Sequence, residues 1–312
     1  MFSAKFLGSI VALVTPFTLD NKIDFKVLAS LIEWHIESGT QAIVLGGTTG
    51  ESATLSDDEK VALACSAVAI AHGRIKLLLG NGSNNTAASV ELTKRLNNTG
   101  VDGYLTVTPC YNKPTAEGLI AHFSAIAAAT TLPIILYNVP SRTLCDMSNE
   151  IIIRLAELNN IVGIKDATAD LSRLANLITQ LKQNNKKDFA LLSGDDASAL
   201  DYCLAGGHGV ISVTANVMPE AIAKIQRLIQ KQSLNKEQNI EQAKLINAQI
   251  KELHQALFIE SNPITVKWVL FWMNKLNNAN LRLPLLSLST TARLSLQQIL
   301  EKSGIQQYPQ EN

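Results

Sequence analysis

The sequence predicts an α/β fold, a (β/α)8 TIM barrel with a C-terminal helical region, on three observations. Short apolar, β-rich runs alternate with longer amphipathic ones, the pattern of βαβ units around a parallel sheet. The short runs number eight, the count that closes such a sheet into a barrel. After the eighth, only segments of helical length and periodicity follow.

The first run, Ser9–Thr15, lies in the apolar stretch Phe6–Val14. A secretory leader is disfavoured there, because only Lys5 precedes the stretch, Thr15-Pro16 interrupts it and no small-residue cleavage site follows. The same Thr15-Pro16-Phe17 stands where an open dinucleotide-binding sheet would carry GxGxxG. Phe25–Ser38 repeats Leu28, Leu31, Ile32 and Ile36 at helical spacing and stops at Gly39. Gln41–Gly46 is the second strand, and Ser56 followed by Glu59 is a capping-box pattern opening the next helix. Gly73 and Gly100 end the helices before strands Lys76–Asn81 and Asp102–Thr108. Pro133–Asn138, Ile161–Asp166, Phe189–Gly194 and Gly209–Val213 complete the eight. Helices are then expected at Pro219–Lys231, Lys236–Phe258, Pro263–Leu276 and Thr290–Ser303, with the polar stretch Gln230–Gln238 as a joint. The expected division is a catalytic barrel over residues 1–225 and a helical region over 226–312.

Composition narrows the function. Lys+Arg and Asp+Glu both number 27, which gives no net charge and no electrostatic footprint for nucleic acid or an anionic membrane surface. No apolar stretch approaches the ~20 residues that span a bilayer. The four cysteines, Cys65, Cys110, Cys145 and Cys203, are far apart and lack CxxC spacing, which fits a reducing cytoplasm and neither zinc nor a disulfide framework. The five histidines, His35, His72, His122, His208 and His254, have no metal-ligand spacing, so no metal site is expected. Small-molecule chemistry is the better expectation.

In such barrels the chemistry gathers at the C-terminal ends of the strands. Those ends read Gly46-Gly47-Thr48-Thr49-Gly50-Glu51, Thr108-Pro109-Cys110-Tyr111, Tyr137-Asn138-Val139-Pro140 and Gly163-Ile164-Lys165-Asp166. Lys165 ends an apolar run and shares a strand face with Gly163. On an inward face its amine leaves water, which disfavours the ammonium and provides a nucleophile for a ketone; an arbitrary strand-end lysine instead reaches solvent. Tyr137 can move a proton, or simply pack with its hydroxyl satisfied. The turn around Thr48 and Thr49 offers N–H groups and hydroxyls to a carboxylate, or is only a tight connection. Arg142 can grip a carboxylate with two bonds or end in a surface ion pair. Gly206-Gly207-His208-Gly209 suits a phosphate less well than a tight turn.

These segments carry a family resemblance. The four motifs, read through Thr106–Pro114, Tyr137–Thr143 and Ile164–Thr168, resemble successive signatures of the dihydrodipicolinate synthase family, and Glu260–Trp268 extends the similarity into the helical region. The resemblance implies a lyase that condenses pyruvate with L-aspartate 4-semialdehyde through a Schiff base on Lys165, in lysine and diaminopimelate biosynthesis, with no cofactor. Tyr137, Thr48 and Tyr111 resemble the family's proton relay, with Tyr111 reaching into a neighbouring subunit. Thr49 would hold the pyruvate carboxylate and Arg142 that of the semialdehyde, while Gly194 and Ile211 join the substrate-binding set. A homotetramer, built as a dimer of tight dimers, is implied. Asp57, Lys60, Ala88 and Cys110 depart from the pattern of lysine-inhibited forms, so weak or absent lysine feedback is expected. Rival readings are N-acetylneuraminate lyase or a 2-keto-3-deoxy sugar acid aldolase, and a catalytically silent keto-acid-binding barrel. A pyridoxal-phosphate enzyme is disfavoured because no persuasive phosphate site accompanies Lys165.

Overall fold

The structure, a computed structural model, describes residues 6–230 and 235–307. Eight strands form a closed barrel in sequence order: β1 Gly8–Ala12, β2 Ala42–Leu45, β3 Lys76–Gly80, β4 Gly103–Val107, β5 Ile134–Asn138, β6 Ile161–Asp166, β7 Ala190–Ser193 and β8 Gly209–Ser212. Every pairing is parallel, and β8 returns to β1 through Gly8↔Gly209 to Val11↔Ser212. Except for β6, which has the predicted bounds, the strands are shorter than the apolar runs that predict them. Residues such as Leu13–Thr15 and Gly46 leave the ladder and become the loops that shape the site.

Strand alternation sorts the apolar residues into two layers. Ile10, Ala12, Val44, Leu78, Leu105, Ile135, Leu192 and Ile211 fill the barrel interior. Val11, Ile43, Leu77, Leu79, Leu136, Ile164 and Leu191 face outward and pack beneath the helices. The helix α1, Phe25–Glu37, buries Leu28, Leu31, Ile32 and His35 against that outer layer, with Gly39 beyond it at φ +77°. The next helix, α2 Asp57–Ala71, has the predicted capping box: Ser56 N donates to Glu59 Oε2 at 2.9 Å, and Glu59 N donates to Ser56 Oγ at 3.2 Å.

After β8, a helix over Pro219–Gln230 carries the chain across residue 225 and packs on β1. The end of the predicted helix at Lys231 and the centre of the predicted joint, residues 231–234, lie outside the described residues. The single helix expected over Lys236–Phe258 is two, Lys236–Gln249 and Lys251–Ala256. Ile264–Trp272 and Thr290–Lys302 follow. Among the described residues no helix is long and apolar enough to cross a membrane. The Gly206–Gly209 loop is a tight turn at the N-terminal end of β8. Its Gly206, Gly207 and His208 N–H groups donate to Cys203, Tyr202 and Leu191 carbonyls, which leaves none of the three for a phosphate.

His35 is fully buried, with Nδ1 3.0 Å from Thr40 Oγ1 and Nε2 unpartnered among the described residues. Burial pushes its imidazole from 6.5 down to about 3. A depressed value in the fold means that the stability held by the neutral ring is complete above pH 6.5 and drains as the pH falls toward 3. Between about pH 7.5 and about pH 5 the wild type is therefore expected to lose about 2 kcal/mol more than His35→Leu in urea titrations. Equal losses in the two proteins would refute this role for the ring.

Candidate active site

The register between β5 and β6 places the central pair. A bulge after Ile161 lets Ile135 pair with Gly163, and then Tyr137 with Lys165, so all four side-chain positions share the barrel's inner face. Gly163 is required there, because a Cβ would lie 2.7 Å from both Ala190 Cβ and Ala190 O. Lys165 is 5% exposed, and its amine sits 4.4 Å from the centre of the Tyr137 ring. Among the described residues it has no carboxylate partner and no hydrogen bond. The neighbouring Asp166 points to the opposite face, accepting bonds from Thr168 Oγ1 at 2.9 Å and Asn138 Nδ2 at 3.2 Å. The lysine is thus buried and uncommitted.

A cavity of about 270 Å³ opens over this amine, lined by Thr48, Thr49, Tyr137, Arg142, Gly194, Asp195 and Asn262 among others. The turn after β2 is closed by Glu51 N donating to Thr48 O and Ser52 N donating to Gly47 O, both at 3.1 Å. The N–H groups of Thr48 and Thr49 have no acceptor among the described residues, so the turn presents donors suited to a carboxylate. Thr49 Oγ1 accepts from Asn262 Nδ2 at 2.9 Å. Arg142 stands exposed at the mouth, its guanidinium 3.4 Å from the Asn262 carbonyl.

The structure thus gathers Lys165, Tyr137, Thr48, Thr49, Arg142 and Gly194 around one cavity. Two of the predicted residues fall elsewhere. Ile211 points into the barrel core below, 1% exposed, and the wall near it is formed by Val213. Tyr111 is 87% exposed, at φ +72°, and does not line this chain's cavity.

Sequence reasoning missed the support beneath the turn. Glu51, at φ +55°, receives Lys267 Nζ at 2.5 Å and Arg282 N at 3.0 Å. Lys267 also donates to the Asn280 carbonyl at 2.7 Å and lies 4.1 Å above the Phe17 ring. Both charged side chains are 1% exposed. The Arg282 guanidinium reaches Glu59 and holds its carboxyl down to about 2. Lys267, on the helix Ile264–Trp272, and Arg282, in the loop that follows it, therefore clamp the Thr48–Thr49 turn from behind.

Comparison with known proteins identifies the family. The model of the Dihydrodipicolinate synthetase family matches residues 5–303. The chain belongs to that family. The 4-hydroxy-tetrahydrodipicolinate synthase of Laribacter hongkongensis is 46% identical over 298 residues, covering 96% of this chain and 99% of that protein. A crystal structure of the chloride-inhibited dihydrodipicolinate synthase of Acinetobacter baumannii, complexed with pyruvate, is 46% identical with a TM-score of 0.89, over 96% of this chain and 99% of that one. The dihydrodipicolinate synthase of Aquifex aeolicus is 39% identical with a TM-score of 0.91, over 97% and 100%.

Proposed function

We propose that this enzyme is a 4-hydroxy-tetrahydrodipicolinate synthase, a lyase that condenses pyruvate with L-aspartate 4-semialdehyde through an imine on Lys165. The observation that carries the reading is the buried, unpartnered Lys165 amine, facing Tyr137 in a cavity whose wall offers carboxylate donors. The names of the full-length relatives support it, as does the pyruvate in the Acinetobacter enzyme.

In this reading the pyruvate carboxylate docks on the Thr48 and Thr49 N–H groups, which presents the ketone to Lys165 Nζ. The amine adds to the ketone carbon and water leaves, giving an imine. Its protonated form withdraws electrons from the methyl group, which loses a proton and becomes the nucleophilic end of an enamine. That carbon attacks the aldehyde, whose carboxylate Arg142 holds at the mouth. The amine of the new side chain then displaces Lys165, closing the ring and freeing the enzyme. Tyr137 and Thr48 carry the protons, joined by Tyr111 of a second copy, which accounts for that residue's exposure on one chain. Activity then depends on a tight dimer, and the assembly is a cytoplasmic homotetramer built from two such dimers. The barrel of residues 1–225 supplies the chemistry, and residues 226–312 brace it.

The test is condensation of the two substrates by purified protein, followed by product formation. Turnover of the pair supports the reading, whereas cleavage of a sugar acid with no turnover of the semialdehyde would replace it with an aldolase. Tyr137→Phe removes the hydroxyl and leaves the ring over Lys165. Its kcat is expected to fall by about 10²- to 10⁴-fold, the usual range for a lost acid–base group, and a smaller drop would confine Tyr137 to packing.

A further inference from the structure

Tyr137 and Lys165 stand one rung below the end of the β5–β6 ladder. Beneath them the bulge after Ile161 breaks the register, so the rungs that align the pair run only from Ile135–Gly163 to Asn138–Asp166. Above them both strands end, and two main-chain bonds close the rim: Ala167 N donates to the Asn138 carbonyl at 2.9 Å, and Gly194 N to the Asp166 carbonyl at 2.7 Å. A short ladder that ends in loops opens more easily than one continued on both sides, and drift of the last rung shifts the amine against the phenol.

A polar cluster grips the outer face of that rung. Asn138 is fully buried; its Nδ2 donates to Asp146 Oδ1 at 2.8 Å and to Asp166 Oδ1 at 3.2 Å, and its Oδ1 accepts from Met147 N at 3.0 Å. Arg173 closes the cluster from the helix Leu171–Gln183. Its Nη1 donates to Asp146 Oδ2 at 2.9 Å, its Nη2 donates to the Met147 carbonyl, and its Nε stands 3.4 Å from Asp166 Oδ2. One guanidinium thus joins the end of β6 to the segment that returns from Arg142, and Asn138 ties both to β5. Arg173 lies in the first turn of its helix, where the helix dipole favours negative charge, so the two carboxylates and not the helix set its place.

We propose that Arg173 is a positioning residue for the reaction at Lys165: through Asp166 and Asn138 it holds the last β5–β6 rung closed and so keeps the Lys165 amine facing Tyr137. Arg173 does not line the cavity, and the Thr48–Thr49 turn follows β2, on the opposite side of the barrel from β6. Its loss is therefore read in turnover and not in the docking of pyruvate. That kinetic consequence rests on the proposed function; the brace does not.

Two variants test it. Arg173→Met removes the guanidinium, and Arg173→Met/Asp166→Asn also removes the buried carboxylate left unpaired, so the outcome does not hinge on the folding of the first. Hydrogen exchange of the substrate-free enzyme, read by mass spectrometry, reports on the brace. The Ala167 and Gly194 amides are expected to exchange at least about tenfold faster in both variants, while the Leu13 amide, bonded to the Val44 carbonyl across the barrel, stays within about twofold of wild type. Unchanged exchange at the two amides, or equal acceleration at all three, overturns the brace. In steady-state kinetics kcat is expected to fall about 10- to 100-fold, with the KM for pyruvate changed less than about threefold. A kcat within about twofold of wild type, or a raised KM for pyruvate at constant kcat, overturns the positioning role. Arg173→Lys keeps the charge without the fork and should leave kcat well below wild type; full recovery would make the residue a counter-charge only and overturn the brace. Faster exchange at the two amides, in an enzyme whose wild type does not turn over the two substrates, supports the brace and counts against the proposed function alone.

Discussion

Lys165→Ala is expected to lower turnover of pyruvate with L-aspartate 4-semialdehyde by about 10³-fold or more, the scale of loss when a nucleophile acting in concert with its neighbours is removed. Truncation costs little in folding, because the amine makes no hydrogen bond or ion pair among the described residues and the alanine leaves space that opens on the cavity. Borohydride gives an independent readout. It should reduce the imine in wild type incubated with pyruvate, fixing the pyruvate carbon skeleton to Lys165 and stopping turnover. The variant should take up no such mass. A variant retaining activity within tenfold of wild type, or wild type trapped at another lysine, would remove Lys165 from the centre of the reaction.

Why Lys165 and Tyr137 were legible in the sequence while other parts were not follows from how each is held. Both sit inside strands, where alternation fixes the face and the β5–β6 register then fixes the pair. Thr48, Thr49 and Gly194 lie within a few residues of strand ends, so barrel geometry delivers them to the same rim. Ile211 obeys the same alternation, but it sits too low in the barrel and packs in the core below the cavity, a depth that strand patterning does not encode. Tyr111 lies beyond the end of β4 and is itself in the left-handed conformation, and nothing in one chain's periodicity says what such a loop faces. Asn262, Lys267 and Arg282 come from far along the chain. Glu260–Trp268 marked the segment by resemblance, yet the pairing of Lys267 with Glu51 spans 216 residues and no local pattern signals it. Arg282 gave no signal at all.

That long-range pair supports the other large prediction, that Lys267→Met will cost about 3–5 kcal/mol of stability, the range for removing one partner of a buried ion pair. The methionine fills much of the lysine's volume, so the loss comes from charge: Glu51 stays buried with the Arg282 N–H as its remaining polar contact. Glu51→Gln should cost less. Burial already pushes Lys267 from 10.5 down to about 8 against the pull of Glu51, so with the carboxylate gone the amine can shed its proton near neutral pH, a shorter step than the rise from the ordinary carboxylate range that would neutralise an unpaired glutamate. The double variant Glu51→Gln/Lys267→Met leaves no buried charge at the position and should recover part of the single-variant loss, a coupling that urea titration of all four proteins measures. The same cycle separates support from chemistry. Because the pair braces the Thr48–Thr49 turn and touches no reacting atom, Lys267→Met should raise the KM for pyruvate more than it lowers kcat. A fall in kcat at constant KM would mean that the turn acts in the transition state rather than in docking the carboxylate.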